Sequence, residues 1–167
     1  MNKICITFAG PWWCWKSPLA NYLSCKFWLP IINADNIRSE IIEDLWYLDE
    51  KIFKHRTYNR LEETLITWKS LIIDASVDRE WEKIKWLLKN YKYDYYIISF
   101  DISSNLLRKL YNNKWYDNFL PDITRYLDEH KNFNKLYKND ISIVITDGNY
   151  KNRLEYSYDK LKSIFNS

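Results

Sequence analysis

Glycine is almost missing. The 167-residue chain holds 2 glycines, Gly10 and Gly148, where an ordinary share of roughly 7% gives about 12. Paired cysteines are missing too. Cys5, Cys14 and Cys25 are odd in number and form no C-x-x-C. That excludes a disulfide scaffold and a zinc site and predicts a reducing, cytoplasmic setting. No run of 18 apolar residues occurs, so no membrane span is expected. Net charge is only +3, which by itself points to neither nucleic acid nor membrane. The apolar run Ile4–Trp15 lacks a small-x-small cleavage site and is broken at Gly10-Pro11, so it does not read as a signal peptide.

What is present is a globular composition, 47% hydrophobic and 28% charged, long enough for one domain with a core of its own. Tryptophan is unusually frequent, with 9 residues. The chain is also rich in Lys, Asn, Ile and Tyr, residues with AT-rich codons.

Short apolar runs alternate with helical patterns. Strands are expected at Ile4–Ala9, Leu29–Ile32, Ser70–Asp74, Tyr95–Phe100 and Ile141–Ile145. Between them, helices are expected at 16–27, around 37–45 (capped by Asp35 or Asn36), 54–66, 78–90, 103–111, 121–137 and 151–165. This alternation predicts a parallel sheet covered by helices on both faces, a three-layer α/β/α fold with about five strands. Such sheets bind ligands beyond the carboxyl ends of their strands. Four strand ends carry polar chemistry here: residues 10–17, Asp35, Asp74 and Asp101. Asp101 also reads as a helix cap.

After the first strand the chain runs Gly10-Pro11-Trp12-Trp13-Cys14-Trp15-Lys16-Ser17. A phosphate-binding loop is G-x-x-x-x-G-K-[ST] between a strand and a helix. Gly10, Lys16 and Ser17 have that spacing and context, but the second glycine is Trp15. The loop is an anion nest of inward backbone N–H groups, and some of its positions need φ > 0. That is easy for glycine and costly for a bulky residue. With glycine at 12, 13 and 15 the loop becomes a full match. Trp28, Trp46 and Trp68 also stand at helix ends and turns, where glycine belongs. One codon assignment unites these sites: UGA read as glycine by the source cell and written as tryptophan. Trp81 fits the apolar stripe of its helix and needs no such reading; Trp86 and Trp115 stay undecided. Two other readings remain open: a Trp-rich chain with a decayed loop, and aromatic platforms for bases.

With glycine restored, the chain resembles the small P-loop kinases, particularly the polynucleotide-kinase-like and zeta-toxin-like group. The supporting segment is Asn33-Ala34-Asp35-Asn36-Ile37-Arg38, which looks like the D-x-x-R after the second strand of these kinases. The likeness spans most of residues 3–110. It implies a single domain over 1–167 with a lid around 108–120, using ATP and Mg²⁺. It implies that Asp35 orients or deprotonates an acceptor hydroxyl and that Arg38 holds an acceptor anion. Residues Gly10, Trp13, Cys14, Trp15, Lys16, Ser17 and Pro18 would then form the nucleotide site. Lys16 would meet the β/γ-phosphates, and Ser17 and Asp74 the magnesium. The acceptor stays open among nucleotides, nucleic-acid ends, sugar nucleotides and other small metabolites. Long nucleic acid is disfavoured, because no dense basic stripe appears.

The chain departs from the pattern at the lid. Arg108, Lys114 and Arg125 are candidates without a clear match, and the role of Arg79 is open. His55 and His130 lack metal-ligand spacing and read as surface histidines. Cys14 reads as a small loop residue or a thiol activated by Lys16. If Trp15 is genuine, the reading becomes a non-catalytic, degenerate P-loop protein.

Overall fold

The computed structural model describes residues 3–67, 70–113 and 117–165. Its central strand is β1 (Lys3–Ala9), which is buried along almost its whole length. Side chains alternate along it. Ile4, Ile6 and Phe8 enter one apolar cluster and Cys5 and Ala9 the other, as the two-residue period of a strand requires. The remaining strands are β2 (Ile31–Asn33), β3 (Ser70–Ser76), β4 (Tyr93–Phe100) and β5 (Ile141–Ile145). They form one sheet in the order β2-β3-β1-β4-β5, with every pairing parallel.

Among the described residues seven α-helices cover the sheet: α1 (Lys16–Phe27), α2 (Ala34–Leu45), α3 (Glu50–Thr67), α4 (Trp81–Asn90), α5 (Ser104–Asn112), α6 (Ile123–Leu136) and α7 (Arg153–Phe165). Leu19 and Leu23 of α1, Leu107 and Leu110 of α5 and Leu161 of α7 fill the cluster on one face. Ile37 and Ile41 of α2, Leu61 and Leu65 of α3, and the inner side of α4 fill the other. This is the three-layer α/β/α arrangement expected from the alternation of elements. Chain direction across the sheet reverses beside β1, so the loop after β1 lies at the switch point where such sheets bind ligands.

Several expected boundaries shift. The second strand forms over Ile31–Asn33, not Leu29–Ile32, and α3 starts earlier, at Glu50. The cap of α2 is neither Asp35 nor Asn36. Asn33 takes the role, its side chain accepting from the Asn36 N–H at 2.9 Å. Likewise Ser103, not Asp101, caps α5. α2 begins sooner after its strand than the apolar pattern implies, so an earlier residue accepts from its orphan N–H groups; α5 begins one residue later than expected, so its cap falls two residues beyond Asp101.

Five described non-glycine residues have positive φ, and four of them are tryptophans: Trp13 (60°), Trp15 (63°), Trp28 (55°) and Trp46 (64°). The fifth is Lys92, in the turn before β4. Trp28 ends α1, where its N–H and that of Leu29 both return to the Ser24 carbonyl. Trp46 ends α2 with one bond to the Ile42 carbonyl at 2.7 Å. These are the helix-ending motifs whose left-handed residue is usually glycine. Both indoles are 90% exposed. Trp81 is the opposite case: it is 1% exposed, and its Nε1 donates to Asp140 at 2.9 Å. Trp86 is also exposed, but lies within α4 without a positive φ. Trp68, Lys114 and Trp115 lie outside the described residues.

Candidate functional site

The loop from Gly10 to Trp15 leaves β1 and enters α1 directly. Trp15 takes the N-cap position in a left-handed conformation, with no side-chain cap. Trp13 and Trp15, flanking Cys14, are both left-handed, the alternation that turns successive N–H groups into one anion-binding concavity. Their indoles are partly buried and pack against the apolar cluster that holds Ile6, Phe8 and Cys14. Trp12 has no positive φ. Its ring stacks on Tyr126, with centroids 5.8 Å apart.

Gly10 is fixed by close approach. A Cβ there would stand 2.9 Å from both Cys14 Sγ and Phe100 Cβ. Its N–H donates to Asp78 Oδ1 at 3.0 Å and its carbonyl accepts from Ser76 Oγ at 2.9 Å. The Lys16 ammonium lies inside the loop, donating to the Pro11 carbonyl at 2.9 Å and reaching Gly10 O at 3.4 Å. Cys14 is fully buried, and that burial pushes its thiol up despite nearby Lys16. It is a packing residue, and the activated-thiol reading is set aside.

Asp74 stands at the end of β3, 6% exposed, and accepts from Asn33 Nδ2 at 2.6 Å. Burial pushes its carboxyl above the usual range. The Ser17 hydroxyl, the Lys16 charge and Asn33 oppose that rise, while the Asp35 charge adds to it. The fold therefore gathers Lys16, Ser17, Asp35 and Asp74, residues from three separate parts of the sequence. Asp35 pairs with Arg38 at 3.0 Å on the exposed side of α2. The Arg38 guanidinium lies 4.6 Å from the Phe53 ring centre and 5.6 Å from that of Trp12.

Beside the loop opens a shallow depression bounded by Trp12, Ser76, Arg79, Tyr126 and Glu129 among others. Arg79 is paired with Glu129 across its rim at 2.7 Å. Of the lid candidates, Arg108 is exposed on α5, and Arg125 is held by Asp122 and Tyr126.

His130 is not a surface histidine. It is 1% exposed, with Nδ1 2.9 Å from Asp78 Oδ2 and Nε2 3.2 Å from Ser99 Oγ. Asn134 closes this network, accepting from Ser99 Oγ at 2.8 Å. Sequence reading missed it because α6 looks polar until β4 and the turn after β3 supply partners. It also missed Tyr111, which donates to the Trp12 carbonyl at 2.8 Å, and Tyr150, which donates to the Cys14 carbonyl at 3.2 Å. No spacing could have found them, since they are 99 and 136 residues from their acceptors.

Among the described residues, no three His, Cys, Asp or Glu side chains are gathered to hold a metal by themselves. No described helix is long and apolar enough to cross a membrane.

No family model matches the chain, and no curated protein is similar to it in sequence. Solved structures share its fold. The APS kinase of Mycobacterium tuberculosis, solved with AMPPNP and APS, aligns at TM-score 0.66 and 15% identity, over 96% of this chain and 98% of its own. A gluconokinase from Sinorhizobium meliloti aligns at TM-score 0.66 and 10% identity, covering 98% and 94%. A shikimate kinase from Bacteroides thetaiotaomicron aligns at TM-score 0.61 and 10% identity, covering 95% and 98%. At these identities the likeness establishes the three-layer fold of P-loop kinases.

Proposed function

We propose that this chain is an ATP-dependent kinase transferring the γ-phosphoryl group to a hydroxyl acceptor. We further propose that the natural protein carries glycine at positions 13, 15, 28 and 46, through a UGA codon read as glycine. The observation that carries both is the backbone of the loop. Residues 13 and 15 are left-handed, in a turn that opens a helix beginning Lys16-Ser17. A tryptophan in that conformation costs about 1–2 kcal/mol, and glycine almost nothing. Positions 28 and 46 repeat the signature at helix ends.

In this reading the N–H groups of residues 13–17 hold the β- and γ-phosphates at the start of α1. The Lys16 ammonium, already inside the loop, turns to the phosphate oxygens. Ser17 and Asp74 are two hard oxygen donors near enough for the Ser17 hydroxyl to favour the ionised carboxylate. Magnesium is typically held by one or two protein oxygens together with phosphates and water, so this pair suits it. Bound there, Mg²⁺ would offset charge building on the transferred phosphoryl group. Asp35, held by Arg38, accepts the acceptor's proton or orients its hydroxyl. The neighbouring depression receives the acceptor, and the guanidinium nitrogens of Arg38 other than the one given to Asp35 bind an anionic group on it. Little covalent work falls to the protein; positioning and charge supply the rate.

Two measurements form the test. The mass of the native peptide spanning residues 4–16, taken from the source cell, reads positions 12, 13 and 15 directly. In parallel, the chain carrying glycine at 13 and 15 is titrated with Mg-ATP, with Lys16→Ala as the control. Glycine masses and Lys16-dependent binding are expected. Tryptophan masses, or a glycine form that ignores Mg-ATP, would overturn the reading.

A further inference from the structure

We propose that Tyr111 and Tyr150 are positioning residues that preset the phosphate loop by turning two of its peptide planes. The proposal rests on the nucleotide reading above. Tyr111 is in the last turn of α5, and Tyr150 opens the short helix Tyr150–Asn152 after β5. Both rings are buried, in the apolar cluster beneath the loop. From there the Tyr111 hydroxyl donates to the carbonyl of residue 12 at 2.8 Å, and the Tyr150 hydroxyl to that of residue 14 at 3.2 Å.

The consequence follows from the planarity of the peptide bond. No described peptide is cis, and in a trans peptide the C=O and the following N–H point in opposite directions. A carbonyl of residue 12 drawn towards the core aims the N–H of residue 13 away from it. A carbonyl of residue 14 drawn inward does the same for the N–H of residue 15. Residues 13 and 15 are the two left-handed positions of the loop. The two tyrosines therefore grip the plane ahead of each turn-making residue, and expose the two N–H groups that a phosphate needs. An anion nest is useful only if its dipoles are oriented before the ligand arrives.

Both groups stay protonated donors. Burial pushes the Tyr150 phenol up to about 12, and it raises that of Tyr111 as well. The grip is thus indifferent to pH across the neutral range. It also links the loop to parts of the chain far from it in sequence, which reach it through the core.

A buried tyrosine hydroxyl needs some acceptor in any case, so the test must separate aiming from mere satisfaction. The Trp13→Gly, Trp15→Gly chain is prepared with Tyr111→Phe, with Tyr150→Phe, and with Tyr93→Phe as control. Tyr93 is also buried and donates to a backbone carbonyl, that of Leu65 at 3.3 Å, on the other face of the sheet. Each is titrated with inorganic tripolyphosphate in the presence of Mg²⁺, and its thermal midpoint is recorded. Losing one such hydrogen bond corresponds to about a tenfold change. Tripolyphosphate affinity is expected to fall about tenfold in Tyr111→Phe and in Tyr150→Phe. Tyr93→Phe should lower the midpoint comparably and leave affinity unchanged.

Undiminished affinity in both loop variants, or an equal loss in Tyr93→Phe, overturns the assignment while leaving the nucleotide reading intact. A parent chain that binds no tripolyphosphate overturns that reading, and this proposal with it. Where a variant folds only in part, the amide shifts of residues 13 and 15 in its folded fraction carry the test. They must move in the two loop variants and stay still in Tyr93→Phe; any other pattern counts against the grip.

Discussion

Trp81 and Trp28 are the same residue in opposite circumstances. Trp81 opens α4, its ring nearly perpendicular to that of Tyr95 and its N–H on Asp140. Asp140 also accepts from Lys85 at 2.6 Å and Tyr95 at 2.8 Å. Burial works against that carboxylate, yet the three donors together hold it below the usual range. Trp28 has none of this. Its backbone is left-handed and its indole stands almost wholly in water. Large aromatic rings contribute by burial, and non-glycine residues avoid positive φ. Trp28 fails on both counts, Trp46 repeats the failure, and Trp81 satisfies both. The comparison teaches that a residue's fit is judged jointly by its backbone and its surroundings, and that here the two judgements agree.

The same substitution in the two regions should have opposite signs. Trp81→Gly is expected to lower stability by about 3–5 kcal/mol, through the cavity it leaves and the lost Asp140 donor. Denaturant unfolding with unchanged slope would register it, and a loss under about 1 kcal/mol would contradict the packing role.

Asp74→Asn sets function against stability within the site. Phosphoryl transfer should drop by about 10²-fold or more. Stability should move the other way. The folded carboxyl holds its proton to higher pH than the unfolded one, so stability falls as pH rises through the interval between the two. At neutral pH the asparagine variant is therefore expected to be the more stable, and at pH values below that interval the gain should vanish. The acidic limb of the activity profile should likewise lie above the ordinary aspartate range, since the charged form holds the metal. A variant less stable than the parent at neutral pH would refute this.

Trp28→Gly and Trp46→Gly should each stabilise the fold by about 1–2 kcal/mol, the relief of a left-handed tryptophan. Thermal midpoints of the single and double variants check both the sign and the additivity expected of distant sites. The smallest effect belongs to Trp86, which is exposed inside a helix. Trp86→Gly should cost no more than about 1 kcal/mol. A stabilisation there would break the rule that only left-handed positions ask for glycine.

Much of this molecule was legible beforehand. The five apolar runs and their spacing were enough for a parallel sheet, and Gly10, Lys16 and Ser17 marked the loop that joins its central strand to α1. The tryptophans at 12, 13, 15, 28, 46 and 68 were suspect because local chain geometry is a short-range property, readable from position relative to a helix end; 13, 15, 28 and 46 are left-handed, Trp12 is not, and Trp68 lies outside the described residues. Asp35 was legible as an acid just beyond a strand and Asp74 as one near a strand's carboxyl end. His130 was misread, because its burial depends on Asp78, Ser99 and Asn134 arriving from other elements. The caps at Asn33 and Ser103 were missed by a few residues, because a cap is chosen by where the strand lets go of the chain.

The sequence by itself thus determined the element order, the position of the loop and the places where its backbone must turn left-handed. Each is set by neighbours a few residues apart, through side-chain sterics and hydrophobic period. Tertiary structure alone decided what surrounds that loop. It placed Asp74 on the Asn33 amide, drew Asp78 to the Gly10 N–H, and set two distant tyrosine hydroxyls under the carbonyls of residues 12 and 14. Those contacts join residues far apart along the chain, and only the packing of helices onto a common sheet brings such residues within hydrogen-bonding reach.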